Sequence, residues 1–141
     1  MLKFKNGEIQ NYANFLSSLP LKNKASRART QLISKLDKKF SEYAKFQREI
    51  IDKYAVKDEQ GELEKDEQGN FHWVKETMEE AVQAINELSQ EEVYLNLEEY
   101  RPNIKFLTLA LEEIDVALSG QEALIYDGLM EQLEEETKGG I

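Results

Sequence analysis

Apolar and charged residues alternate over Leu2–Lys5, the period of a half-buried strand, and Asn6-Gly7 follows as a turn or helix cap. The period then changes. Ile9, Tyr12, Phe15, Leu16 and Leu19 recur at helical spacing, and Pro20 stops that helix because it disfavours the α region for the residue before it. From Leu21 or Ser26 to Tyr54, the residues Leu32, Leu36, Phe40, Tyr43, Ile50 and Tyr54 fall on one stripe, opposite Lys24, Arg27, Lys35, Lys38 and Lys45. This predicts one helix of about 30 residues, on the order of 45 Å long.

The segment Val56–Val74 is polar and carries a local duplication, Lys57-Asp58-Glu59-Gln60-Gly61 recurring as Lys65-Asp66-Glu67-Gln68-Gly69. Each glycine suits a positive-φ turn position, so a loop or β-hairpin is expected, with Phe71-His72-Trp73-Val74 as its return. Thr77-Met78-Glu79-Glu80 fits a capping box, and Met78, Ala81, Val82, Ile85 and Leu88 form the apolar face of a third helix. Glu92–Leu97 alternates through Val93, Leu95 and Leu97 and is expected to pair with Leu2–Lys5. After Pro102, a stripe of Ile104, Leu107, Leu111, Ile114 and Leu118 is widened by Phe106, Leu109 and Val116, which predicts the most buried helix. Ser119-Gly120-Gln121-Glu122 opens the last helix, with Tyr126, Leu129, Met130 and Leu133 on its core face. Glu134–Glu136 and Gly139-Gly140 are expected to end it, because carboxylates oppose the macrodipole at a C-terminus, leaving 137–141 as a flexible tail. No linker interrupts the chain. The expected fold is mainly α: a single domain over 1–141, a compact bundle of about five helices with one long, a β-hairpin protruding at 56–74 and a small two-stranded sheet.

The chain has 141 residues, no cysteine and one histidine. Zero Cys excludes disulfide scaffolds, thiol nucleophiles and thiolate metal sites. No apolar run reaches the length of a membrane span and Met1–Gln10 lacks the apolar core of a signal peptide, so no membrane partner and a cytosolic address are expected. Charge is unevenly placed. Met1–Tyr54 holds twelve basic and five acidic residues, net +7, whereas Ala55–Ile141 holds six basic and twenty-three acidic, net −17, for −10 overall. Basic and acidic helices side by side would cancel part of these fields, and that internal pairing is preferred over a charge-selected partner. Glu42 and Glu49 interrupt the basic stripe and the net charge opposes long-range approach to a phosphate backbone, so nucleic acid is disfavoured.

Candidate chemistry is sparse. One imidazole, His72, cannot build a multi-histidine metal site or a serine-hydrolase triad with a nucleophile elbow, and it reads as structural or exposed beside Phe71 and Trp73. The duplicated Asp-Glu-Gln-Gly invites a calcium loop, but counting from Asp58 puts Gly69 at the twelfth position and counting from Asp66 puts Thr77 there, where a bidentate Glu is needed. Acidic pairs such as Glu91/Glu92, Glu98/Glu99 and Glu112/Glu113 point about 100° apart on a helix and form no facing dyad. No glycine-rich phosphate loop is present. No catalytic, cofactor-binding or metal-ligating residue and no cofactor is therefore expected. Two features stand out. Arg29 falls among Ala25, Leu32 and Leu36 on the apolar side of the long helix, as does Gln47 further along, so Arg29 must snorkel or meet a carboxylate, backbone carbonyls or a small anion, with Ser26 and Arg27 beside it. Leu124 and Ile125 fall off the core stripe of the last helix, either as a dimer seam or packed beneath the hairpin, and with Glu131, Glu134 and Glu135 they make a candidate partner or self-association surface.

The order of Leu2-Lys3-Phe4-Lys5-Asn6-Gly7, Leu19-Pro20-Leu21-Lys22, Ser26-Arg27-Ala28-Arg29, the long helix, Glu91-Glu92-Val93, Leu118-Ser119-Gly120-Gln121-Glu122-Ala123 and Tyr126-Asp127 resembles a family of small uncharacterised proteins encoded by phages and prophages of Gram-positive bacteria, classed as a domain of unknown function. The resemblance covers nearly the whole chain and implies a viral protein acting in the host cytoplasm or carried in the virion. It transfers no catalytic residue. The expectation is a non-enzymatic interaction module that inhibits or modulates a host or defence protein through its acidic C-terminal segment. The alternatives are a virion or tail-assembly component, for which self-association would matter, and a binder of a small anionic ligand at Ser26, Arg27 and Arg29.

Overall fold

The computed structural model describes residues 1–138. The N-terminal alternation becomes β1 (Leu2–Lys5), with Leu2 and Phe4 buried and Lys3 and Lys5 exposed. It pairs antiparallel with β2 (Glu92–Leu95) in the register Leu2↔Leu95, Phe4↔Val93 and Lys5↔Glu92, the pairing that the two alternating segments predict. Five helices accompany this sheet among the described residues: α1 (Ile9–Ser17), α2 (Asn23–Tyr54), α3 (Met78–Gln90), α4 (Arg101–Glu112) and α5 (Gly120–Lys138). The chain groups into two compact units, one of Met1–Phe40 with the chain from Glu92 onward, the other Ser41–Glu91. The residues of α2 are divided between them.

The first unit is organised by burial. Leu2, Phe4, Ile9, Leu16, Leu32, Leu36, Leu97, Ile104, Leu107, Leu111, Leu129 and Leu133 are all nearly or fully excluded from solvent and belong to one cluster. Each such side chain contributes about 1.5–3 kcal/mol by leaving water. α4 departs from its expected extent. It ends at Glu112, and Ile114 and Leu118 reach the core from non-helical backbone while Val116 is exposed. Glu112, Glu113 and Asp115 would all oppose the dipole of a longer helix, and the tyrosine hydroxyl of Tyr126 donates to the carbonyl of Leu111 at 2.7 Å, satisfying one of the acceptors that the helix end leaves open. Phe106 and Leu109 also stay 43% and 51% exposed, so α4 is not the most buried helix: four of its twelve residues are buried, against four of nine in α1.

The second unit is organised locally. Ala55↔Trp73, Lys57↔Leu63 and Lys65↔Phe71 form isolated antiparallel bridges, so the polar excursion is a hairpin-like ribbon with two tight turns. The sequence duplication is also a structural one. Asp58 Oδ1 accepts from the backbone N–H groups of Gln60 (2.9 Å) and Glu62 (3.0 Å), and Asp66 Oδ1 accepts from those of Gln68 and Asn70, both at 2.9 Å. Gly61 and Gly69 close the turns at φ +80° and +81°, where a side chain would be strained. α3 begins after a 3₁₀ turn, Lys75–Thr77, and Thr77 makes no side-chain capping bond, so the expected capping box is absent; the preceding turn fixes the chain direction instead.

The end of α5 also differs from expectation. Thr137 and Lys138 are helical, and Thr137 Oγ1 donates to the carbonyl of Leu133 at 2.8 Å, so of the tail expected at 137–141 the first two residues continue the helix. Gly139-Gly140 and the rest of that segment lie outside the described residues.

Candidate interaction surfaces

In the first unit α5 lies along the edge of β1 that β2 leaves open. The backbone N–H of Lys3 donates to Gln132 Oε1 at 2.6 Å and Gln132 Nε2 donates to the carbonyl of Lys3 at 2.8 Å, so one side-chain amide imitates a neighbouring strand. The N–H of Lys5 is taken by Glu8 Oε2 at 3.3 Å. Gly128 makes room on α5 for Tyr12 of α1, since a Cβ there would sit 2.9 Å from the tyrosine hydroxyl. The result is a groove of about 600 Å³ lined by Met1, Lys3, Tyr12, Tyr94, Gly128, Glu131, Gln132 and Glu135. Met1 and Tyr94 are 68% and 52% exposed along it. Burial first, and then the nearby carboxylate of Glu8, push the hydroxyl of Tyr12 above its usual 10.0.

The structure divides the partner surface named from the sequence. Glu131 and Glu135 line the groove, and Leu124, 74% exposed, lies seven residues before Glu131 and so on the same side of α5. Ile125 turns inward against the core and lines a separate hollow with Asn14, Phe15 and Ser18. Glu134 is half-buried. It stands near Tyr126, whose hydroxyl is raised by burial first, then by the carboxylates of Glu112 and Glu134.

Arg29 does point inward, and its guanidinium is engaged. Nη1 donates to the carbonyl of Leu19, just beyond α1, and Nη2 donates to Ser26 Oγ at 3.0 Å. A cation at the C-terminal end of a helix is favoured by the dipole, so the pair ties the start of α2 to the end of α1. Arg27 is exposed and Gln47 half-buried. Of the three residues named for an anion, two already bond to each other. His72 is exposed, with Nε2 3.4 Å from Asp66 Oδ2 at the second turn.

Sequence reasoning missed Glu136. Its side chain is only 9% exposed and bridges the Met1 ammonium and Arg101 Nη2, the latter at 3.6 Å. The signal was there: Glu136 lies seven residues after Leu129 and three after Leu133, on the core stripe. A cleft of about 530 Å³ opens beside it between Glu98, Arg101, Lys105 and Thr137, and the Nε of Arg101 is buried there without a hydrogen-bond partner.

In the second unit, Phe46, Met78 and Val82 are 49%, 49% and 41% exposed. Phe46 and Ile50 of α2 and Leu88 of α3 line a groove of about 430 Å³ bordered by Glu49, Lys53 and Glu91. Among the described residues no group of three or more His, Asp or Glu side chains is placed to hold a metal ion, and no helix is long and apolar enough to cross a membrane.

These features define a mainly helical protein with a two-stranded sheet and several solvent-facing grooves that mix apolar and acidic side chains. The family model described as "Protein of unknown function (DUF1617)" matches residues 1–140, and the chain belongs to that family. No curated protein and no solved structure is significantly similar to it.

Proposed function

We propose that this member of the DUF1617 family is a phage-encoded, non-enzymatic interaction module that binds a host or defence protein and modulates it in the host cytoplasm. The observation that carries this reading is Leu124, three-quarters exposed on the side of α5 that also presents Glu131 and Glu135 to a groove with exposed Met1 and Tyr94. A large apolar side chain beside carboxylates is costly to leave in water and suited to a protein partner with an apolar, basic patch. The phage origin rests on the resemblance carried along nearly the whole chain, from Leu2–Gly7 through Ser26–Arg29 to Leu118–Ala123 and Tyr126-Asp127. The test is a pull-down of the tagged full chain from phage-infected cells at low and moderate salt, compared with Leu124→Asp and with Glu131→Lys/Glu135→Lys. A stoichiometric host protein held by the native chain and lost by the variants is expected; no host protein, or one held equally by all three, overturns the reading.

Exposure of Leu124 on α5 also favours a second reading, a virion or assembly component that self-associates there. Phage structural proteins in the same eluate, with a multimer in light scattering that Leu124→Asp dissolves, would move the assignment to it. The anionic-ligand reading is weaker, since Arg29 already donates to the Leu19 carbonyl and to Ser26 Oγ.

A further inference from the structure

The α5 groove leaves unexplained a surface on α3, in the second unit. The helix buries Ala81 and Leu88, while Met78 and Val82, one turn apart, stand exposed over a hollow of about 480 Å³. Beside that apolar ridge runs a second one at the same four-residue spacing, Glu79, Gln83 and Glu87, and both ridges line the hollow. Every charge on α3 is negative, and no Lys, Arg or His occurs in the sequence from Glu76 to Tyr100. Among the described residues Glu79, Glu80, Glu87 and Glu91 have no cation within ion-pair distance. Gln83 Nε2 donates to Glu87 Oε1 at 2.9 Å, which holds that carboxylate in place without neutralising it.

The charge selects the occupant. A second copy of the same helix would set Glu79 and Glu87 against like charges, and a phosphate backbone would be repelled for the same reason. An apolar ridge with an acidic ridge alongside, both at helical spacing, matches the surface that receives an amphipathic helix by its i and i+4 anchors. We infer that the Met78–Glu87 face of α3 binds a basic amphipathic helix of a protein partner. Its apolar side chains seat on Met78 and Val82, and its Lys or Arg residues, about two turns apart, pair with Glu79 and Glu87. This rests on the interaction-module reading and adds to it a surface and a partner chemistry independent of α5.

The test uses the isotopically labelled full chain and two synthetic helical peptides of equal length, one built from Leu and Lys and the other from Leu and Glu, followed by NMR titration at moderate salt. The Leu/Lys peptide is expected to shift the amides of Met78, Val82, Gln83 and Glu87 to saturation, and the Leu/Glu peptide to leave them unmoved. Val82→Asp and, as a conservative second variant, Met78→Gln are expected to weaken binding roughly tenfold with unchanged helix content. Glu79→Lys/Glu87→Lys is expected to reverse the peptide preference. Shifts confined to α5, equal binding of both peptides, or variants that bind like the native chain overturn the inference. If the infected-cell partner is lost by Leu124→Asp but held by Glu79→Lys/Glu87→Lys, the α3 assignment fails and the module reading stands. If the native chain retains no partner, the module reading fails, whatever the peptides do.

Discussion

The two units reach order by different means. The first closes a core from segments far apart in the chain, pairing residues 2–5 with 92–95 and packing α1, α4 and α5 over Leu32 and Leu36. In the second the buried apolar residues are Tyr43, Ala55, Ala81 and Leu88 among the described residues, and the defining features are local: a continuous helix, two side-chain-locked turns and a short helix. A unit held by local hydrogen bonds and little burial opens at lower free energy than one held by a core. Both units leave apolar side chains exposed, Leu109 and Leu124 in the first and Phe46, Met78 and Val82 in the second, but only in the second do they accompany so little burial. A shortage of apolar partners within 41–91 is therefore expected to make the second unit the less stable one.

The largest expected effect tests that contrast directly. Leu107 is fully buried in the first unit, and Leu107→Ala is expected to cost about 2–5 kcal/mol by lost transfer energy and a residual cavity. The sole tryptophan, Trp73, lies in the second unit, so its fluorescence follows that unit while far-UV circular dichroism follows the whole chain. In urea titrations Leu107→Ala is expected to lower the dichroism midpoint more than the fluorescence midpoint, and Leu88→Ala to do the reverse. Equal displacement of both signals by both variants would mean one cooperative body, and the contrast would collapse.

Arg29→Ala comes next. It strips a charged donor from the Leu19 carbonyl and from Ser26 in the first unit, for an expected loss of about 1.5–3 kcal/mol. Arg29→Lys is expected to recover only part, because an ammonium lacks the fork that reaches both acceptors. Chemical denaturation of the three proteins checks the order. A neutral Arg29→Ala would free that guanidinium for a ligand and revive the small-anion reading.

The same contrast explains how much was legible in the sequence. Alternation at Leu2–Lys5 and Glu92–Leu95 was enough to pair them, because only one register buries Leu2, Phe4 and Leu95 together. The duplicated Asp-Glu-Gln-Gly announced its turns because that chemistry is local. The boundary between units was illegible, since the apolar stripe of α2 runs through Phe40 and Tyr43 without a break. So was the end of α4, where periodicity counted Phe106 and Leu109 as core although both stay about half exposed, Phe106 beneath the ammonium of Lys24. In the candidate surface, the structure sets Leu124, Glu131 and Glu135 on one side of α5, whereas Ile125, read from the sequence as off the core stripe, packs against the core. Arg29 was recognisable as inward-facing. Its partner was not, because the Leu19 carbonyl arrives there only once α1 and α2 have turned past Pro20.

Smaller effects belong to the second unit. Asp58→Ala and Asp66→Ala each remove an oxygen that accepts two backbone N–H groups, and each is expected to cost about 1 kcal/mol locally. Amide exchange at Gln60 and Glu62, or at Gln68 and Asn70, is expected to accelerate in the corresponding variant alone. Acceleration at both turns from either substitution would show the ribbon to be a single cooperative element.

The smallest effect is a pH dependence confined to the first unit. Both tyrosines with raised hydroxyls, Tyr12 and Tyr126, are there, displaced upward chiefly by burial. Below 10.0, their usual value, they are protonated whether the chain is folded or not, and they add no pH dependence. As pH rises above that value the unfolded chain releases these protons first, so it binds fewer protons than the native state and stability falls with pH until the folded hydroxyls also ionise. Tyr126 is the sharper case, because its ionisation also removes the donor to Leu111 that closes α4. Tyr126→Phe is expected to lose a little stability at neutral pH and to show a shallower alkaline decline than the native chain. Dichroism midpoints taken on both sides of pH 10 decide this, with Trp73 fluorescence as the internal control. If the fluorescence midpoint falls first, the alkaline weakness lies in the ribbon and its helices, and burial in the first unit is not what sets it.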